Sequence, residues 1–166
     1  MVTATHRVGA RLRLGLVLAI PALLLGLAGS ASGVTHARST HIQAARAQGA
    51  KVGTRSGDLG TYLTDGAGRT LYLFAADKTK KSTCTGACAA SWPPLITKGK
   101  PTAQGKAKAG KLGTSKRADG SRQVTYGGHP LYYYAGDSSA GQTNGQGSTA
   151  YGARWWVVSP AGKAIK

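Results

Sequence analysis

Leu71-Tyr72-Leu73-Phe74-Ala75-Ala76-Asp77 and, sixty residues later, Leu131-Tyr132-Tyr133-Tyr134-Ala135-Gly136-Asp137 are the two stretches on which the fold turns. In an extended chain successive side chains point to opposite faces. Leu71, Leu73 and Ala75 then share one face, and Tyr72 and Phe74 share the other. Leu131, Tyr133 and Ala135 repeat the first set, Tyr132 and Tyr134 the second. Both faces are apolar or aromatic, which predicts strands covered on both sides, as in a small sandwich or barrel.

The likeness extends outward from these strands. At a shift of 60, Lys51, Gly53 and Thr54 fall on Lys111, Gly113 and Thr114, and Gly60 and Gly68 fall on Gly120 and Gly128. Two copies are too few for a solenoid, so a pair of similar units packed on each other is expected. Each unit reads as a β-hairpin followed by irregular chain. In the first, Leu59 to Thr64 is a strand, residues 65–68 turn, and Arg69 to Ala75 returns. In the second, Arg122 to Tyr126 runs into the turn pair Gly127-Gly128, and His129 to Ala135 returns. Residues 154–159 (RWWVVS) form a closing strand. One short helix is expected near 86–92, capped by Thr85 and stopped by Pro93-Pro94. The fold class is therefore all-β: a single domain over 51–164 made of repeats 51–96 and 111–162.

Between the repeats, residues 97–110 are rich in Lys, Gly and Ala, which predicts a mobile basic linker. Its lysines have no aromatic residues among them, unlike a nucleic-acid groove, so no specific nucleic-acid partner is expected. At the amino end, His6, Arg7, Arg11 and Arg13 precede an apolar run from Leu14 to Leu27, and small residues follow. That order is the pattern of a secretory signal peptide, here over 1–37. Cleavage after Ala31 or Ala37 and retention as an anchor both remain open. The run is short for a membrane span, which needs roughly 20 apolar residues. No Cys follows it to carry a lipid. Residues 38–50 read as a flexible leader. The chain carries 22 basic and five acidic residues. Removing 1–37 takes away three arginines and no acid, which leaves a strong excess of positive charge. Outside a cell this favours anionic wall or membrane-surface polymers as partners.

Few residue types here could carry chemistry. Cys84 and Cys88 are the only cysteines, and in an exported chain such a pair predicts a structural disulfide, with Gly86 allowing the tight bend. A redox pair is the sharper alternative. Haem attachment would want His directly after the second Cys, where Ala89 stands. His129 lies outside the leader and reads as a turn residue or, less blandly, a ligand. Asp77 and Asp137 end their strands and read as acceptors of backbone N–H bonds. A carboxylate pair for hydrolysis ranks last. The aromatic residues read as core, while Trp92, His129, Tyr134 and Trp155 are the candidates for a ligand surface. No phosphate loop, Ser–His–Asp set or H-E-x-x-H motif is present. No cofactor, metal site or catalytic residue is assigned.

Three stretches together resemble a known family. Tyr72 to Asp77 and Tyr132 to Asp137 each read Tyr, four residues, Asp. Residues 82–95 (STCTGACAASWPPL) are similar to the Cys-Gly-Cys-Ala and Trp-Pro-Pro segment that follows the first such motif there. Residues 155–162 (WWVVSPAG) look like its closing strand. The family is that of the bacterial secreted or lipoprotein repeat proteins with a Y-x4-D motif. The resemblance covers roughly 51–162. It implies an exported envelope protein and no particular activity, with Tyr72, Asp77, Tyr132 and Asp137 as scaffold. This chain departs from it in lacking a cysteine after the apolar run and a cysteine pair in the second repeat. The leading expectation is a secreted, non-catalytic envelope or extracellular protein that binds anionic polymers. The alternative is an extracytoplasmic redox, haem or copper protein built on Cys84, Cys88 and His129.

Overall fold

The computed structural model describes residues 49–166. The expected signal peptide over 1–37 and most of the expected leader over 38–50 lie outside the described residues. Eight strands run in the order β1 (Lys51–Gly57), β2 (Gly60–Asp65), β3 (Tyr72–Phe74), β4 (Thr102–Ala103), β5 (Leu112–Lys116), β6 (Arg122–Tyr126), β7 (His129–Pro130) and β8 (Trp155–Val157). Among the described residues one α-helix, α1 (Ala87–Ser91), lies between β3 and β4. Gly86 occupies its cap position at φ 55 and no side chain caps it. The expected Thr85 cap is absent because the tight bend belongs to glycine, which reaches positive φ at little cost.

Three small sheets form, ordered β2-β1-β4, β3-β8 and β5-β6-β7. The expectation of an all-β fold with two hairpin-centred repeats holds, and the sheets do not close into a barrel. The expected hairpins are present as short pairings, Thr64 opposite Thr70 and β6 against β7, but each repeat also holds a longer hairpin that was not expected. In the first repeat β1 pairs antiparallel with β2, Gly53 opposite Thr64. In the second β5 pairs with β6, Gly113 opposite Thr125. The polar, glycine-rich sequences of β1 and β5 conceal them, because half their side chains face solvent. The turn at 65–68 is present, with Asp65 Oδ1 accepting from the Ala67 and Arg69 amides at 2.9 Å. The Gly127-Gly128 turn is present too, with φ 57 and 91, values that only a glycine pair adopts without strain. The stretch 97–110 is not wholly loop: β4 runs parallel to β1, Val52 opposite Ala103.

Each repeat's closing segment completes the other repeat. β8, at the end of the second repeat, pairs with β3 of the first. Leu95, at the end of the first, donates to Leu131 O at 2.9 Å and accepts from Val124 N at 2.9 Å. The same bonds recur in the counterpart, where Val158 donates to Leu71 O at 3.2 Å and accepts from Leu63 N at 2.8 Å. Between the halves, Tyr72 and Tyr132 exchange reciprocal backbone bonds at 2.8 and 3.0 Å. This is the hydrogen-bond pattern of two like units related by an approximate twofold axis.

Strand alternation sorts the core into two clusters. Leu71, Leu73 and Leu131 join Val52, Leu63, Leu95, Val124, Tyr126 and Val158 in an aliphatic cluster. Tyr72, Phe74 and Tyr132 join Tyr62, Trp92, Trp155, Val157 and the two cysteines in an aromatic one. Cys84 and Cys88 form a disulfide with Cα atoms 5.3 Å apart. It closes a short loop, so constraint of the unfolded chain contributes about 2 kcal/mol. Reduction under native conditions should lower the unfolding free energy by that amount and the urea midpoint with it, as measured by circular dichroism with and without reductant. An unchanged midpoint would remove the disulfide from the list of stabilising features.

Candidate functional site

The aromatic cluster is built around a stack. The rings of Trp92 and Trp155 are stacked, their centroids 3.9 Å apart and their planes 4° from parallel. Phe74 stacks on the outer face of Trp155 at 4.1 Å, and Tyr134 lies against Trp92 at 4.4 Å. Tyr72 meets Trp92 edge-on at 5.4 Å, and Tyr132 meets Trp155 at 5.1 Å. Every contact in one half has its counterpart in the other.

The motif tyrosines and aspartates cross between repeats in the same way. The Tyr72 hydroxyl donates to Asp137 Oδ2 at 2.6 Å, and the Tyr132 hydroxyl donates to Asp77 Oδ2 at 2.5 Å. Both carboxylates also accept from the backbone of their own loops. Asp77 Oδ1 takes Thr83 N and Thr83 Oγ1 at 2.7 Å, and Asp137 Oδ1 takes Asn144 N at 2.9 Å. The backbone-acceptor role expected of these residues is visible in those bonds. The tyrosine partner from the opposite repeat was not foreseen, because no spacing within one repeat encodes it.

The electrostatics follow from burial. Burial, then the bond to Asp137, holds the Tyr72 phenol well above the usual tyrosine range. Burial and the bond to Asp77 do the same for Tyr132. Tyr133 is raised by burial and by the charge of Asp65, to which it donates at 3.0 Å. Asp137 is raised by burial, partly offset by the bonds from Tyr72 and Asn144. The folded-state phenol values lie above the unfolded ones, so this contribution to stability is complete below about pH 10 and is lost as pH rises beyond it. An alkaline titration followed by tyrosinate absorbance should show these three phenols ionising only as circular dichroism reports unfolding. Ionisation of all seven tyrosines near pH 10 with the fold intact would contradict the burial. For Asp137 the sign is the usual one for a raised carboxyl: its contribution weakens as pH rises from the ordinary carboxylate range toward its raised value.

Ser82 joins the crossing to the disulfide loop. Its hydroxyl lies 2.7 Å from the Tyr132 hydroxyl, whose own proton goes to Asp77, and accepts from Arg117 at 2.9 Å. Arg117 also donates to Gln123 Oε1 at 2.7 Å and Cys84 O at 2.8 Å. Sequence reasoning missed Arg117, whose place beside a β-turn gave no sign of burial.

The four residues expected at a ligand surface lie in different surroundings. Trp92 and Trp155 are fully buried, and Tyr134 is spent covering Trp92. His129 instead lines a cavity of about 430 Å³ with Trp156, Lys78, Lys163 and Lys166. Neither cysteine lines it. Strand alternation could have found Trp156: with Trp155 turned inward, its neighbour must face out. Among the described residues no group of three or more His, Cys, Asp or Glu is placed to hold a metal ion. No helix among them is long and apolar enough to cross a membrane.

A family model described as a secreted repeat of unknown function matches the chain twice, over residues 53–96 and 113–159. The chain belongs to this secreted-repeat family. The two matched segments are the two repeats of the structure, and membership makes this an exported, extracytoplasmic protein. No curated protein and no solved structure matches it.

Proposed function

We propose that this secreted repeat protein is a non-catalytic binding module that holds anionic polymers of the cell envelope. The observation that carries the reading is how its charges are distributed. Asp77 and Asp137 are buried and engaged in the crossing, and Asp65 is held by two turn amides and Tyr133. Only Asp58 and Asp119 are exposed carboxylates. Most Lys and Arg side chains of the described residues are exposed, so the outer surface is strongly positive. Lys78, Lys163 and Lys166 ring the cavity beside Trp156, where a polyanion would meet both charge and a ring face. Tyr72, Asp77, Tyr132 and Asp137 act in this reading as scaffold, because their polar atoms are consumed by one another.

The protein should be retained on isolated cell-wall material at low ionic strength and released as salt rises, since counterion release dominates such binding. The triple variant K78E/K163E/K166E should elute at markedly lower salt with unchanged circular dichroism. Retention independent of ionic strength would overturn the proposal.

A further inference from the structure

The two repeats differ at one edge. In the first, β1 has β2 on one side and β4 on the other. Thr102 N donates to Ala50 O at 2.9 Å and Gln104 N donates to Val52 O at 2.8 Å. In the second, β5 has β6 on one side and, among the described residues, no strand on the other. The direction of its backbone groups follows from the bonds that bracket the hairpin. Gly127 N donates to Lys111 O, and Arg117 N donates to Ser121 O, both at 2.9 Å. Residues 111, 113, 115 and 117 thus face β6, so Leu112, Thr114 and Lys116 face away from it. The Leu112 amide is taken by Ala109 O. Leu112 C=O, Thr114 N–H and C=O, and Lys116 N–H remain along the free edge.

That edge lines a cavity of about 640 Å³, which has Pro101, Ala103, Ala109 and Leu112 as apolar walls and Lys100 and Arg122 as charged ones. No carboxylate lines it. Arg122 is held in place by a bond to Thr114 Oγ1 at 2.9 Å. The corresponding Thr54 Oγ1 in the first repeat accepts instead from the Lys106 amide, just beyond β4. The filled edge shows what the open one is shaped for.

We propose that the free edge of β5 takes up an extended acidic peptide segment of a partner protein as an added strand. Main-chain bonds to Leu112, Thr114 and Lys116 would give affinity. Alternate apolar side chains would enter between Pro101 and Leu112, and the partner's carboxylates would meet Lys100 and Arg122. Charge selects the occupant. A second copy would bring the same positive surface, and residues 38–48 carry two arginines and no acid, so both are repelled. The proposal concerns a different face from the Trp156 cavity and does not depend on polymer binding there.

The test uses a labelled, end-blocked eight-residue peptide of alternating Val and Glu, with fluorescence anisotropy and amide chemical shifts as readouts. Saturable binding is expected, with the largest shifts at Thr114 and Lys116. N-methylation of the peptide at alternate amides, on the bonding side only, should weaken binding at least tenfold. K100E/R122E should do the same. Thr114→Pro removes an outward amide, a change edge strands tolerate, and should also weaken binding. Should that variant fail to fold, the N-methyl series tests the companion bonds of the same edge, those from the peptide amides to the Leu112 and Thr114 carbonyls. Absence of saturable binding, which would leave Lys116 and Arg122 as mere guards of the edge, would overturn the proposal. So would binding indifferent to N-methylation, or equal displacement by a phosphodiester wall polymer.

Discussion

Trp155→Ala should cost about 3–5 kcal/mol, the range for deleting a buried Trp. That is a large part of the roughly 5–15 kcal/mol that holds a domain together. The ring is fully buried and stands between Phe74 and Trp92. Its loss removes two stacked pairs, each worth about 0.5–1.5 kcal/mol beyond area burial. It also removes the edge contact with Tyr132 and the Nε1 bond to Ala150 O. Trp155→Phe should cost less, because a flat ring still separates its neighbours. Trp92→Ala should match Trp155→Ala within about 1 kcal/mol, and the double variant should fall short of the sum because both remove the same stack. Urea unfolding followed by far-ultraviolet circular dichroism measures all four. A loss below 1 kcal/mol for either alanine variant would mean that the stack is not the centre of the core.

The crossing of tyrosine and aspartate gives the second large effect. Asp77→Ala should cost about 3 kcal/mol. It removes a charge-assisted bond from Tyr132 and leaves the Thr83 amide and hydroxyl without their acceptor. Sequence reasoning alone supports only about 1 kcal/mol for lost turn bonds; the partner from the other repeat supplies the rest. Double-mutant cycles locate that partner. Tyr132→Phe with Asp77→Ala should show a coupling of about 1–2 kcal/mol, while Tyr72→Phe with Asp77→Ala, within one motif, should be additive to about 0.5 kcal/mol. Coupling within a repeat and none between repeats would contradict the exchange.

These two results rest on features that were unequally legible in the sequence. The duplication, the strands at 71–77 and 131–137 and the all-β class could be read directly, because period-two alternation of large side chains survives in each copy. The disulfide could be read from compartment and spacing. The strands at 51–57 and 112–116 could not: Gly53, Thr54, Gly113 and Thr114 are poor in bulk, and their pairing depends on the hairpin rather than on burial. The equivalence of Trp92 and Trp155 was hidden because one follows a short helix and the other opens a strand. Only the fold brings them face to face. Of the ligand-surface candidates Trp155 faces inward, and its neighbour Trp156 is the one that lines a cavity with His129. Which closing segment serves which repeat has no local signature at all, since either pairing satisfies the same hydrophobic pattern.

The exchange of closing strands carries a consequence for how such a chain could arise. Neither half closes its own core without the other's closing segment, and neither finishes its own ring stack. A gene encoding one repeat would have yielded a polypeptide that folds only by embracing its twin, a symmetric homodimer sensitive to dilution. Fusing two copies through a dozen or so residues replaces that bimolecular encounter with an intramolecular one at an effective concentration on the order of millimolar. Once tethered, the copies were free to diverge: one kept a cysteine clasp and a covered edge, and the other kept neither.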